Sequence, residues 1–155
     1  MGMGISGMGS RRRSFRAFAF ERLEDRQLLA GDVTAQIIRG DLVIRGDDLD
    51  NGITITAGSV AGTIVVSGVS AGGAATNVNG TANGAVTLNG FTDDFKINMK
   101  GGNDTVTISN VTIRDSLKLK LGKGNDTATL ASVTVADDAK IKGNCEKIYT
   151  NKTIV

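Results

Sequence analysis

Between Phe95 and Val135 one pattern is written twice, and no other feature constrains the fold of this chain as tightly. Phe95-Lys96-Ile97-Asn98-Met99-Lys100-Gly101-Gly102-Asn103-Asp104-Thr105-Val106-Thr107-Ile108 is followed by Leu117-Lys118-Leu119-Lys120-Leu121-Gly122-Lys123-Gly124-Asn125-Asp126-Thr127-Ala128-Thr129-Leu130. Matched residues stand 22 positions apart without a gap: Asp104 and Asp126, Thr105 and Thr127, Val111 and Val133, Asp115 and Asp137. A fixed period in the twenties marks a unit that buries its apolar face only by stacking on a copy of itself. Side-chain alternation assigns the faces. Phe95, Ile97 and Met99 face the core, as do Leu117, Leu119 and Leu121. Val106 and Ile108 are predicted to stack under Ala128 and Leu130, and Val111 and Ile113 under Val133 and Val135. Each unit thus supplies about three short strands, turned at Gly-Asn-Asp, at Ser109-Asn110 or Ala131-Ser132, and at Arg114-Asp115 or Ala136-Asp137. A β-meander in a sandwich could also carry so long a repeat. Identical residues recurring in register favour parallel stacking at the strand spacing. The predicted fold is all-β, a short parallel β-solenoid with coils of about 22 residues.

Composition agrees and removes several functions. The chain has 155 residues, with 21 Gly and no Pro or Trp, so Thr, Val, Ile and Gly-Asn/Asp pairs supply strand-and-turn chemistry. The net charge of +2 is unevenly placed, with Arg11, Arg12, Arg13, Arg16, Arg22 and Arg26 near the start. The remainder is close to neutral, which argues against nucleic acid as a partner of the folded part. With no His, catalytic triads built on His and His-ligated zinc are excluded, so any metal must prefer oxygen. Cys145 is alone, cannot form an internal disulfide, and reads as a small buried apolar residue. No apolar run approaches the ~20 residues of a membrane helix. No catalytic set emerges, and the chain does not read as an enzyme.

Residues 1–31 form a separate basic segment. Met1 to Ser10 is Gly- and Met-rich without periodicity and reads as disordered. Ser10-Arg11-Arg12-Arg13-Ser14-Phe15 is similar to a twin-arginine export signal, but Arg16, Glu21, Arg22, Glu24, Asp25 and Arg26 interrupt the apolar stretch that should follow. A short amphipathic helix suits the i, i+4 spacing of Phe18, Arg22 and Arg26 better. Phe20-Glu21-Arg22-Leu23-Glu24-Asp25-Arg26-Gln27-Leu28-Leu29-Ala30 resembles the F-E-x-L-E-x-R-x-L-L-A segment at the front of many surface and secreted proteins of planctomycete bacteria. That resemblance implies export or envelope association, ahead of extracellular β-rich repeats, and no chemistry.

The repeat domain is expected over 32–155. Leu42-Val43-Ile44 and Gly52-Ile53-Thr54-Ile55-Thr56 read as a looser copy of the unit. Residues 70–84 are small and polar and are predicted to bulge out as a Gly/Asn-rich loop. From about 139 the pattern decays, since Gly143-Asn144-Cys145-Glu146 replaces Gly-Asn-Asp-Thr, and a C-terminal cap is expected.

Two ladders of side chains carry candidate function. Gly122-Lys123-Gly124-Asn125-Asp126-Thr127-Ala128 resembles the nonapeptide G-G-x-G-x-D-x-U-x of RTX calcium-binding proteins. The resemblance implies calcium between stacked turns, with Asp104 and Asp126 as carboxylate ligands and the carbonyls of Gly101, Gly102, Gly122 and Gly124 completing the site. The motif recurs here once per 22 residues instead of every 9, and the same residues also make a plain tight turn. The second ladder is Lys96, Lys118 and Lys140, with Asn98, Lys120 and Lys142 beside it. It is either a solvated face that discourages aggregation or a stripe for an acidic polysaccharide or an anionic envelope, with Asp93, Asp115 and Asp137 placed to neutralise it. A Thr ladder, Thr105 and Thr107 under Thr127 and Thr129, reads as exposed strand surface.

Together these features predict a non-catalytic, secreted or cell-envelope structural protein, with calcium at its turns if the RTX resemblance holds. Envelope polysaccharide, other surface proteins or a second copy joined end to end are its expected partners. The other prediction is a carbohydrate-binding or polysaccharide-lyase-like domain acting on acidic polysaccharide through Lys96, Lys118, Lys120, Lys140 and Lys142.

Overall fold

The computed structural model describes residues 31–154, together with Gly2, and gives side chains through Asn144. The rest of the basic segment, with its predicted helix, lies outside the described residues, as does the side chain of Cys145, and Gly31 already belongs to the first strand.

Short apolar-polar alternations separated by Gly, Asn and Asp dictate strands here, and the described residues contain no helix. β1 (Gly31–Ile38) and β2 (Asp41–Arg45) form an antiparallel hairpin. Its two-residue turn, Arg39-Gly40, has positive φ at both positions (53° and 90°), which matches the strand twist. β3 (Gly52–Ala57) and β4 (Thr63–Val69) form a second antiparallel pair. β5 (Thr76–Val78), β6 (Thr81–Ala82) and β7 (Ala85–Asn89) follow. The repeat region then supplies β8 (Phe95–Asn98), β9 (Thr105–Ile113), β10 (Leu117–Lys120), β11 (Asp126–Val135), β12 (Ala139–Lys142) and β13 (Cys145–Ile154).

These strands make two mixed sheets, ordered β12-β10-β8-β2-β1-β5-β6 and β13-β11-β9-β3-β4-β7. The predicted register is present. Leu117 and Leu119 lie beside Phe95 and Ile97, which lie beside Leu42 and Ile44, all in parallel. In the other sheet Ala128, Leu130, Val133 and Val135 lie beside Val106, Ile108, Val111 and Ile113. Ile53 and Ile55 continue that row on β3. The inward residues of both sheets form one core, and Phe95, Leu117, Leu119 and Leu121 are fully buried. Each such side chain contributes about 1.5–3 kcal/mol of transfer free energy.

Three features differ from the sequence prediction. The N-terminal part is largely antiparallel: two-residue turns with positive φ, Arg39-Gly40 and Asn79-Gly80, reverse the chain between β1 and β2 and between β5 and β6, residues 58–62 join β3 to β4, and β7 returns antiparallel to β4. Residues 70–84 do not all bulge outward: β5 pairs in parallel with β1, and Ala71, Ala74, Thr76 and Val78 are buried. The expected strand break at Ser109-Asn110 is a corner inside β9, matched at Ser132 in β11. Asn110 and Ser132 both have positive φ (54° and 55°). Beyond residue 139, β12 and β13 continue the ladders in parallel.

Candidate functional site

Asn51, Asp104 and Asp126 occupy the same place in successive units, at the entry to β3, β9 and β11. All three are buried, with relative exposures of 0%, 1% and 0%. Alternation explains why: Asp104, Val106 and Ile108 share one parity, as do Asp126, Ala128 and Leu130, and that parity faces the core. Asp126 Oδ1 accepts the backbone N–H of Asp104 at 3.0 Å, and Asp104 Oδ1 accepts that of Asn51 at 2.9 Å. The residue before each runs the opposite way. Asp50 Oδ1 accepts the N–H of Asn103 (2.6 Å), and Asn103 Oδ1 accepts that of Asn125 (2.9 Å). Backbone bonds complete the joint, from Thr105 N–H to the Asn51 carbonyl (2.8 Å) and from Thr127 N–H to the Asp104 carbonyl (2.7 Å). The Asn103-Asp104 pair therefore grips the unit on either side of it.

The inner row is electrostatically loaded. Asp104 Oδ2, Asp126 Oδ2 and Asn51 Oδ1 are buried without a protein partner. Burial pushes the Asp104 carboxyl up to about 7, and the charges of Asp126 and Asp50 add to the rise. Hydrogen bonds from Asn51 oppose it. Asn51 is held by its own Nδ2, which donates to Asp47 Oδ1 (2.9 Å) and to the Leu49 carbonyl (2.6 Å). Burial works to raise the Asp47 carboxyl too. Hydrogen bonds from Asn51 and from the N–H groups of Asp32 and Leu49 outweigh burial and hold it below its ordinary value.

The glycines of the motif are required by the closeness of neighbouring units. A Cβ on Gly122 would overlap the Lys100 carbonyl, and one on Gly124 the Gly102 carbonyl. One on Gly102 would overlap the Leu49 carbonyl in the same way, and one on Gly101 would come within 3.3 Å of Asp48 Oδ1. The structure thus brings Asp104 and Asp126 to adjacent rungs, with Gly101, Gly102, Gly122 and Gly124 in the turns leading to them. Their carboxylates point into the stack, and one oxygen of each is committed to a backbone N–H. The donors left for a hard cation are the two Oδ2 atoms and Asn51 Oδ1, all oxygen, which suits calcium chemistry.

The lysines lie on the outer face of the other sheet. Lys96, Lys118 and Lys140 are consecutive partners, and Asn98, Lys120 and Lys142 form the next row, continued by Arg45. Their neutralising acids differ from those expected: Asp94 stands one residue from Asp93, and Asp41 comes from the neighbouring hairpin. Lys96 contacts Asp41 and sits 3.2 Å from Asp94 Oδ2, and Lys118 is 3.0 Å from that same oxygen. Carboxylate oxygens of Asp41, Asp93 and Asp94 lie within 4.8 Å of one another, a cluster the sequence reading missed. Parity again held the signal, since Asp41, Val43 and Arg45 share the outward face, as do Asp94, Lys96 and Asn98. Asp94 also repeats the stitching, its Oδ1 accepting the Ser116 N–H at 2.9 Å. Burial works to raise the Asp94 carboxyl, but that N–H together with Lys118 and Lys96 holds it below its ordinary value. Hydrogen bonding to Asp41, chiefly, raises Lys96. The two lysines act as the resident cations of this cluster.

Among the described residues no helix is long and apolar enough to cross a membrane. No protein-family model, curated protein or solved structure matches the chain.

Proposed function

We propose that residues 31–154 are a short β-solenoid serving as a non-catalytic structural module of a secreted or envelope-associated surface protein. The observation that carries this reading is the buried row of Asn51, Asp104 and Asp126. The most conspicuous acids of the sequence are spent on joining one unit to the next and are closed to solvent, so they meet no substrate. The likeness of residues 20–30 to planctomycete surface-protein segments supports the location. Stacking of a further unit or a second copy on the open edges of β12 and β13 belongs to the same proposal. Asp104→Ala and Asp126→Ala should each lower the unfolding midpoint cooperatively. An unchanged midpoint in both would remove the structural role. Fusing residues 1–31 to a reporter active only outside the cytoplasm tests the location, and a silent fusion would refute it.

The three buried oxygens without partners favour a second reading, in which calcium binds at Asp104 and Asp126 with carbonyls of Gly101, Gly102, Gly122 and Gly124. Calcium titration of the full chain by calorimetry separates the two. Saturable heat with a raised melting temperature, both lost in an Asp104→Asn/Asp126→Asn variant, establishes the ion. No heat up to millimolar calcium leaves a proton as the only occupant of the row.

A further inference from the structure

The outer face of β2, β8, β10 and β12 presents two cation rows crossing the strands at right angles. Partners in successive strands sit at the strand spacing, about 4.8 Å. One row is Lys96-Lys118-Lys140 and the other Arg45-Asn98-Lys120-Lys142. Stacked like charges repel and cost stability, and only part of this cost is offset. Asp41 and Asp94 engage Lys96 and Lys118, whereas Arg45, Lys120, Lys140 and Lys142 have no acidic partner among the described residues. Two open hollows lie between these side chains. A groove of about 350 Å³ runs between Arg45, Lys96, Asn98, Lys118 and Lys120. A second of about 250 Å³ lies between Lys118, Lys120, Lys140 and Lys142, so the two share Lys118 and Lys120 as a common wall.

We propose that this face binds a linear acidic polysaccharide of uronate type, lying across the strands with its carboxylates on Arg45, Lys120, Lys140 and Lys142. A two-fold 1,4-linked uronate chain turns alternate carboxylates to one side, and two strand spacings, about 9.6 Å, are on the order of that repeat, so alternate carboxylates meet alternate rungs such as Arg45 and Lys120. The strip is two rows wide and offers no aromatic ring, which removes the stacking that single-stranded nucleic acid uses. The inference goes beyond the structural reading and does not depend on it.

Polygalacturonate titrated into the full chain tests the proposal, against neutral dextran of similar length, polyuridylate and anionic phospholipid vesicles. Two variants accompany it. Lys120→Gln/Lys140→Gln/Lys142→Gln removes three of the four cations without an acidic partner, and Lys100→Gln/Arg114→Gln/Lys123→Gln removes the same charge elsewhere. Melting curves establish that both remain folded. The expected result is binding to polygalacturonate that weakens with salt, is absent with dextran, and falls roughly tenfold or more in the first variant alone, as for three exposed ion pairs. No binding at low salt, equal loss in both variants, or tighter binding of polyuridylate or vesicles would overturn it.

Discussion

Asp126 Oδ1 lies 3.0 Å from the backbone nitrogen of Asp104, the residue one full repeat earlier. One residue before it, Asn103 Oδ1 reaches the backbone nitrogen of Asn125, one repeat later, at 2.9 Å. The Asn and Asp of one turn therefore pull in opposite directions along the stack. The outer, exposed residue holds the following unit, and the inner, buried one holds the preceding unit. A turn built this way fixes the register of the sheet as well as the direction of the chain.

The raised Asp104 carboxyl sets a pH dependence. Its folded value is about 7 against 3.8 for the ordinary group, so the folded state binds more protons between the two. Stability contributed by the protonated form is full below about 4 and is lost as pH rises through about 7, a change on the order of 2–4 kcal/mol. Asp94 and Asp47 are held low and act the other way, their contribution vanishing only as pH falls below the ordinary carboxylate range. Urea unfolding at pH 5, 6.5 and 8 should show stability declining with pH. Asp104→Asn, which copies the amide of Asn51, should flatten that decline.

Much of this architecture was legible in advance. The 22-residue offset located the repeat strands, and alternation named the core of Phe95, Ile97, Leu117 and Leu119. The burial of Asp104 was not seen, because Gly-Asn-Asp reads as the same tight turn whether its acid faces water or core. Extending the parity of Val106 and Ile108 back by two residues would have placed it inside. The same step would have put Asp94, in place of Asp93, beside Lys96. The antiparallel excursion from β4 to β7 was illegible for another reason. It interrupts the repeat, so Leu42 pairs with Phe95 across an insertion that no internal copy reveals.

The turn glycines should separate steric from conformational cost. Gly124→Ala would drive a Cβ into the Gly102 carbonyl at a φ of 130°, where side chains are already disfavoured. Gly90 also has a positive φ (84°), but nothing lies within 4 Å of its Cβ position. Gly124→Ala should cost at least ~3 kcal/mol, and Gly90→Ala about 1 kcal/mol. Denaturant midpoints of the two variants compare them directly.

The outer staple should matter less than the apolar core. Asn103→Ala removes an exposed acceptor for the Asn125 N–H, a loss of about 0.5–1.5 kcal/mol. Leu119→Ala, one sheet away in the fully buried core, should cost ~2–5 kcal/mol through the cavity it leaves. Thermal melts of the single variants and the double variant should be additive, since the sites share no partner.

The most direct measurement is a carbon-13 carboxyl titration of Asp104 by NMR, in the wild-type chain and in Asp126→Asn. An inward, stitched Asp104 should titrate near 7 and fall toward its ordinary value when the Asp126 charge is removed. A titration near 3.8 that ignores the Asp126 substitution would place the carboxylate in water, and the turns would then be turns alone.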